Sequence, residues 1–257
     1  MFKVFHHQVR GRGHVLDGSP CQDMTASASR HGVQVVCLSD GAGSARLSHY
    51  GAQAVVDEGT RLLVENFMSF TSRGDGARIK AEIVSSLLAR LTSLSARLEC
   101  HVKDLASTML AVATHGDQFV VVHIGDGVIG YVRDGELRIA SSPDNDEFAN
   151  TTTFVTSSSA ITSMRLLRGS LEGVTGFILM SDGAAESLYN QRTKMLAPAC
   201  LKLVRLLADS PTYQTKNPIH RKRLRKFLAT RVREATKDDC SLALLARLPA
   251  LSPSSRA

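Results

Sequence analysis

With 257 residues, 43% of them apolar, the chain has material for one sizeable core, and its formal charge of +7 is spread unevenly along it. No apolar run approaches the roughly 18–20 residues a bilayer demands, and "MFKVFHHQVR" breaks the apolar continuity of an export signal, so a membrane span and secretion are both disfavoured. Five scattered cysteines without a CxxC pair argue against a disulfide framework or a thiolate zinc site, and the expectation is cytoplasmic: one domain over residues 1–248, then a short disordered Pro/Ser-rich tail over 249–257.

In chain order, "VFHHQVR" and "VQVVCLS" read as strands, rich in Val and Phe. Two long helical patterns follow, "GAQAVVDEGTRLLVENFMSF" and "GARIKAEIVSSLLARLTSLSARLEC". Then "STMLAVAT", "QFVVVHIG", "GVIGYVRDG" and "LRIAS" succeed one another with only Gly- or Asp-marked turns between them, the mark of antiparallel hairpins. "TTTFVT" and "GFILMS" read as two further strands, "PACLKLVRLLAD" as a helix and "SLALLARL" as the last strand. Strands and helices do not alternate one for one, so a doubly wound parallel sheet is excluded and an α+β architecture expected, with helices outside antiparallel sheets. Between Lys216 and Lys237 stand nine Lys or Arg against one acid, Glu234, while Ile219, Leu224, Phe227, Leu228 and Val232 recur at helical spacing. That segment reads as a solvated amphipathic helix or a contact for an acidic partner; the interleaved aromatics of a single-strand nucleic-acid binder are missing.

The chemistry concentrates where apolar runs stop on an acid. In "VVCLSDGAGS", Val35 to Leu38 are consecutive and apolar, as in a strand covered on both faces, so Asp40 emerges at the rim of a core with no Arg or Lys within five residues. A carboxylate placed there needs a partner, and a hard divalent cation takes carboxylate and backbone carbonyl oxygen together. One Asp-Gly is also an ordinary turn. Four more acidic elements share the form, however: "CQD" at 21–23, "HIGDG" at 123–127, "SDG" at 181–183 and "KDDCS" at 237–241. Two carboxylates about 4 Å apart repel by roughly 4 kcal/mol at an effective dielectric of 20, so a convergence of these acids makes sense only around bound metal.

The ordered set "CQD", "LSDGAGS", "STML", "HIGDG", "LMSDGAAE" and "DDCSLALL" resembles the metal-dependent protein phosphatase family, the type 2C Ser/Thr phosphatases, over about residues 10 to 247, and within it the compact bacterial subgroup. The resemblance implies a four-layer α-β-β-α sandwich with two central antiparallel sheets flanked by helices, and two Mn²⁺ or Mg²⁺ ions at one end of the sheets. It assigns Asp40 as the carboxylate bridging both ions, the Gly41 carbonyl as a further ligand, Asp182 and Asp238 to the second ion, Asp23 to the Asp of the family's Glu-Asp pair and Asp126 to a third, weaker ion. Asp40 and Asp182 thus carry the catalysis through metal-activated water attacking phosphoserine or phosphothreonine. A phosphoprotein substrate and a dedicated kinase partner go with the same resemblance.

The chain also departs from the family pattern. Gln22 stands where the family has Glu, and Gly18 where its phosphate-binding Arg is expected; His14, with Arg12 second, is the candidate substitute, reaching phosphate from the end of the first strand. Asp239 takes the position of a family Asn, so hydrogen bonding alone is expected of it, with Asp238 and Asp239 facing opposite ways at the start of the last strand. The adjacent His6 and His7 would likewise face apart, which argues against a metal pair. Cys21 reads as a packed thiol, since no HCx5R loop accompanies it. No GxxxxGK[ST] or GxSxG element occurs, and "GRGHVLDG" lacks both the GxGxxG form and the βαβ context that goes with it. Two rival readings stay open: a pseudophosphatase that binds phosphoproteins or regulates without turnover, and a hydrolase of small phosphoesters.

Overall fold

The computed structural model describes residues 2–72, 74–143, 152–210 and 218–247. It begins with β1 (Phe2–Val9), the short helix α1 (Arg12–Asp17) and the hairpin of β2 (Met24–Arg30) and β3 (Val33–Ser39), then runs through two long helices, α2 (Ser48–Thr71) and α3 (Gly76–Arg97). Four strands follow as hairpins: β4 (Met109–His115), β5 (Gln118–Ile124), β6 (Val128–Arg133) and β7 (Glu136–Ser141). After the single turn of α4 (Ala160–Ser163) come β8 (Arg165–Ser170), β9 (Val174–Met180), α5 (Asp182–Leu188) and a two-residue ribbon of β10 (Tyr189–Asn190) and β11 (Met195–Leu196). Helices α6 (Pro198–Ala208) and α7 (Pro218–Phe227) lead through a π turn, Leu228–Val232, and a 3₁₀ turn, Arg233–Ala235, into the last strand, β12 (Cys240–Arg247).

Two five-stranded antiparallel sheets result, ordered β1-β12-β9-β6-β7 and β2-β3-β4-β5-β8. The side-chain period of two in β3 explains the layering. Val35 and Cys37 point into a core shared with α2 and α3, while Val36 and Leu38 point the other way, into an inter-sheet core with Phe177, Leu179 and Leu245. On the far side, Ile178, Met180 and Leu244 meet α6, α7 and the π turn through Leu203, Val204, Leu224 and Leu228. The expected α-β-β-α sandwich is therefore present. Spacing sets its helices in place: Ile79, Ile83, Leu87 and Leu91 form one buried stripe of α3, which starts at Asp75, whose side chain accepts from the Ala77 N–H at 2.9 Å. Truncating Leu87 there would cost about 2–5 kcal/mol.

Register decides where the acids go. Ser39 at the end of β3 faces Met24 at the start of β2, and Ile124 at the end of β5 faces Met109. In the other sheet Met180 ends β9 opposite Leu242 and Val128, and Cys240 sits opposite Val9. Asp23, Asp40, Asp126, Asp182 and Asp238 each flank one of these ends, so all five lie at one rim.

Two local readings need correction, and three elements went unread. "TTTFVT" is not a strand: residues 152–156 form an irregular stretch and turn, and residue 151 lies outside the described residues, as do Lys216 and the tail. Residues 12–17, to which no element was assigned, wind into α1, so Arg12 and His14 stand on a short helix past the end of the first strand. Asp238 and Asp239 precede β12, so strand alternation does not govern them. The edge strands β2, "MTASASR", and β8, "RLLRGS", have no counterpart in the sequence reading: β2 alternates Met24, Ala26 and Ala28 with Thr and Ser, a weak signal of mostly small residues, and β8 has no period of two.

Candidate active site

Carboxylate oxygens of Asp40, Asp126 and Asp182, one from each, lie within 4.8 Å of one another. Their positions are locked by backbone geometry. The Asp40 N–H donates to Thr108 Oγ1 at 2.9 Å and its carbonyl accepts from the Thr108 N–H at 2.8 Å. Gly125, at φ +123°, seats Asp126: a Cβ there would come within 2.6 Å of the Thr108 side chain, so only glycine allows the turn. Asp126 Oδ2 accepts from Thr152, while its Oδ1 is buried without a partner. Asp182 opens α5, and its Oδ1 takes the Gly183 N–H at 2.6 Å.

The electrostatics are those of a site built for a cation. Burial, then the charges of Asp23 and Asp182, raise the pKa of Asp40 well above the carboxylate range. Asp182 is pushed up to about 6 by burial and by Asp126 and Asp238. Asp23 is sealed, and neither of its oxygens makes a hydrogen bond. Burial lifts its pKa to about 8, with Asp239 and Asp182 adding to the rise, although the nearby hydroxyls of Ser181 and Ser241 favour its charged form. Among the described residues no Lys or Arg forms an ion pair with any of these acids. An oxygen-only donor set, three orphaned buried carboxylate oxygens and the absence of a balancing cation fit a hard divalent ion such as Mg²⁺ or Mn²⁺.

Asp238 lies outside the tight trio, exposed at the lip of an adjoining open cleft of about 660 Å³. Arg12, His14, Glu186, Thr236 and Lys237 line the same cleft. Burial raises the Asp238 pKa, against an Oδ1 contact from the Asp239 N–H at 2.8 Å. Arg12 donates to the Thr236 carbonyl at 3.0 Å and approaches Glu234 at 3.8 Å. Gly41, whose N–H donates to the Gln22 carbonyl at 3.2 Å, follows Asp40 beneath the cluster.

Sequence reasoning missed the weight of Asp239. Its buried carboxylate receives the Gly11 and Gln22 N–H groups, each at 2.5 Å, and stands 3.0 Å from His14 Nδ1. One side chain thereby ties α1, the segment before β2 and the start of β12 together. Gly11 permits this, since a Cβ there would sit 2.3 Å from the Asp238 backbone. Glu186, which accepts from Thr236 Oγ1 at 2.7 Å, was also missed; the Ala-Ala-Glu-Ser-Leu run after Asp182 is the helix signal that could have placed it. Cys21 is half-buried, its thiol pKa raised by burial and by Asp239, which suits a packed group. His6 Nδ1 meets Thr25 Oγ1 at 3.0 Å, a structural contact.

A family model, protein phosphatase 2C, matches residues 10–229. The chain is 25% identical over 165 residues to serine/threonine-protein phosphatase 3 of Escherichia coli K12, a match covering 62% of this chain and 65% of that one. Among solved structures, a bacterial serine phosphatase superposes with TM-score 0.66 at 15% identity, covering 98% of this chain and all (100%) of the other. The serine/threonine phosphatase of S. agalactiae gives 0.61 at 17%, covering 96% and 100%, and RsbX in complex with magnesium 0.51 at 15%, covering 96% and 99%.

Proposed function

The chain belongs to the protein phosphatase 2C family, and on that premise we propose that it hydrolyses phosphoserine and phosphothreonine in proteins with the help of Mn²⁺ or Mg²⁺. The convergence of Asp40, Asp126 and Asp182 within 4.8 Å carries this reading. These three, with Asp23, Asp238 and the Gly41 carbonyl, are the groups that would hold the ions. Bound there, such ions lower the pKa of water and offset charge on phosphoryl oxygens. The magnesium in the RsbX structure supports the choice of ion.

The remaining work falls to the chain's own side chains. Arg12 and Lys237 place positive charge on the cleft wall and draw phosphate toward it. His14 lines the same wall, its Nδ1 3.0 Å from the Asp239 carboxylate, and serves as proton donor to the leaving group. Thr108 holds the Asp40 backbone through its hydroxyl and its own N–H, which fixes the point from which the carboxylate is presented. A protein that only bound phosphoproteins would gain nothing from three carboxylates held against their repulsion. A kinase that installs the phosphate and a cytoplasmic setting accompany the proposal, the latter consistent with five free cysteines.

The test is hydrolysis of a phosphothreonine peptide, with p-nitrophenyl phosphate in parallel, before and after Mn²⁺ addition to metal-stripped protein. Metal-dependent release from the peptide is expected. Release from the small ester alone would support the small-phosphoester reading, and no release with either substrate would overturn catalysis.

A further inference from the structure

The segment from Arg221 to Lys237 carries eight Lys or Arg and a single acid, Glu234. Leu224, Leu228 and Val232 bury one stripe of it against the sandwich, which leaves Lys222, Arg223, Lys226 and Arg231 exposed. Two like-charged pairs, Arg221 with Arg225 and Lys222 with Lys226, stand four residues apart, an arrangement that opposes helix formation. Nothing among the described residues compensates them. The segment's one ion pair there is Arg12 with Glu234, exposed and 3.8 Å long. Arg221 reaches the Val4 carbonyl at 3.4 Å, but among the described residues no carboxylate meets Lys222, Arg223 or Lys226. A cationic surface of this kind is stabilised by an anionic ligand.

Its direction names the ligand. The segment runs from α7 through the π and 3₁₀ turns directly into the cleft wall, where Ala235, Thr236 and Lys237 stand beside His14 and Asp238. Seventeen residues wound at about 1.5 Å each span at most about 24 Å, the length of roughly seven residues of extended peptide. Because the cleft is the place proposed for the phosphorylated side chain, we propose that this basic run binds acidic residues flanking the phosphorylation site, so that the enzyme selects Asp/Glu-rich phosphoprotein segments. The selection rests on the phosphatase reading; the cationic surface does not.

Two measurements keep these apart. The first is fluorescence anisotropy of an unphosphorylated Asp/Glu-rich peptide with the intact protein and with the double variant Lys222→Glu, Lys226→Glu, whose folding is checked by melting temperature. Affinity should fall about tenfold or more in the variant and weaken with salt. The second is kcat/KM, with Mn²⁺, for phosphothreonine peptides with acidic or neutral flanks: the intact protein should favour the acidic one several-fold, and the variant should lose that ratio. Equal binding by the variant, or a ratio near one in the intact protein, overturns the proposal. Tighter binding of heparin or single-stranded RNA than of the acidic peptide would overturn the choice of ligand. Absence of turnover on both peptides, with binding intact, would strike the phosphatase reading and the selection while leaving the acidic-peptide surface established.

Discussion

Replacing Asp239 by Asn tests the structure at its least expected point. From sequence, Asn should serve at this position, because only hydrogen bonding is required of it. The geometry asks for more: two N–H donors, from Gly11 and Gln22, converge on opposite oxygens at 2.5 Å, and His14 Nδ1 stands 3.0 Å away. An amide offers one acceptor oxygen. Whichever way the amide of Asp239→Asn were flipped, its NH₂ would face one buried N–H, losing a charge-assisted hydrogen bond and orphaning a donor, about 2–4 kcal/mol together. Against this runs the relief of repulsion, since Asp239 presses on Asp23. With Asp23 at a pKa of about 8, however, a bound proton has already answered most of that repulsion at pH 7. The loss should win, and in a chain of this size it corresponds to roughly 5–12 °C in melting temperature. Differential scanning fluorimetry of metal-free protein at pH 7 measures it. A melting temperature equal to or above that of the parent would refute the two-donor argument.

Adding millimolar Mn²⁺ to metal-free protein should raise its melting temperature by binding the folded site, whereas Asp40→Asn should stabilise the metal-free protein, lose most of the Mn²⁺ shift and reduce turnover by several orders of magnitude; thermal scans and peptide hydrolysis read both. Asp23 and Asp182 are acids whose folded pKa values, about 8 and about 6, lie above their unfolded ones, so the folded state binds more protons between about pH 4 and 8. Metal-free stability should therefore fall as pH rises through that window, while Mn²⁺ affinity, measured by calorimetry, should rise with proton release. His14→Ala should lower kcat and remove one limb of the pH–rate profile if the ring donates a proton; a change confined to KM would make it a phosphate-binding group.

What the sequence disclosed follows from what each feature needs. The strand ends at Ser39, Ile124 and Met180 were legible because long apolar runs there stop on Asp or Gly-Asp, and α2, α3 and α6 because their buried stripes recur at helical spacing. The convergence of Asp40, Asp126 and Asp182 needed more: the antiparallel register that brings ends of different strands to one rim is a long-range property, written in no single segment. Helix α1 escaped for a different reason. Six residues hold no period; the helix exists because Gly11 and Gly13 let the chain lie against the backbone of Lys237 and Asp238, with the Gly13 N–H donating to the Lys237 carbonyl at 2.8 Å. That contact makes the spacing Gly-Arg-Gly informative after all. It is a docking strip for the segment before β12, and it carries His14 to Asp239 from the opposite end of the chain. Asp239, far downstream in sequence, accepts from the Gly11 N–H at the start of α1 and lies 3.0 Å from His14 Nδ1, so the substitution at Asp239 reports on α1 as much as on the strand it precedes.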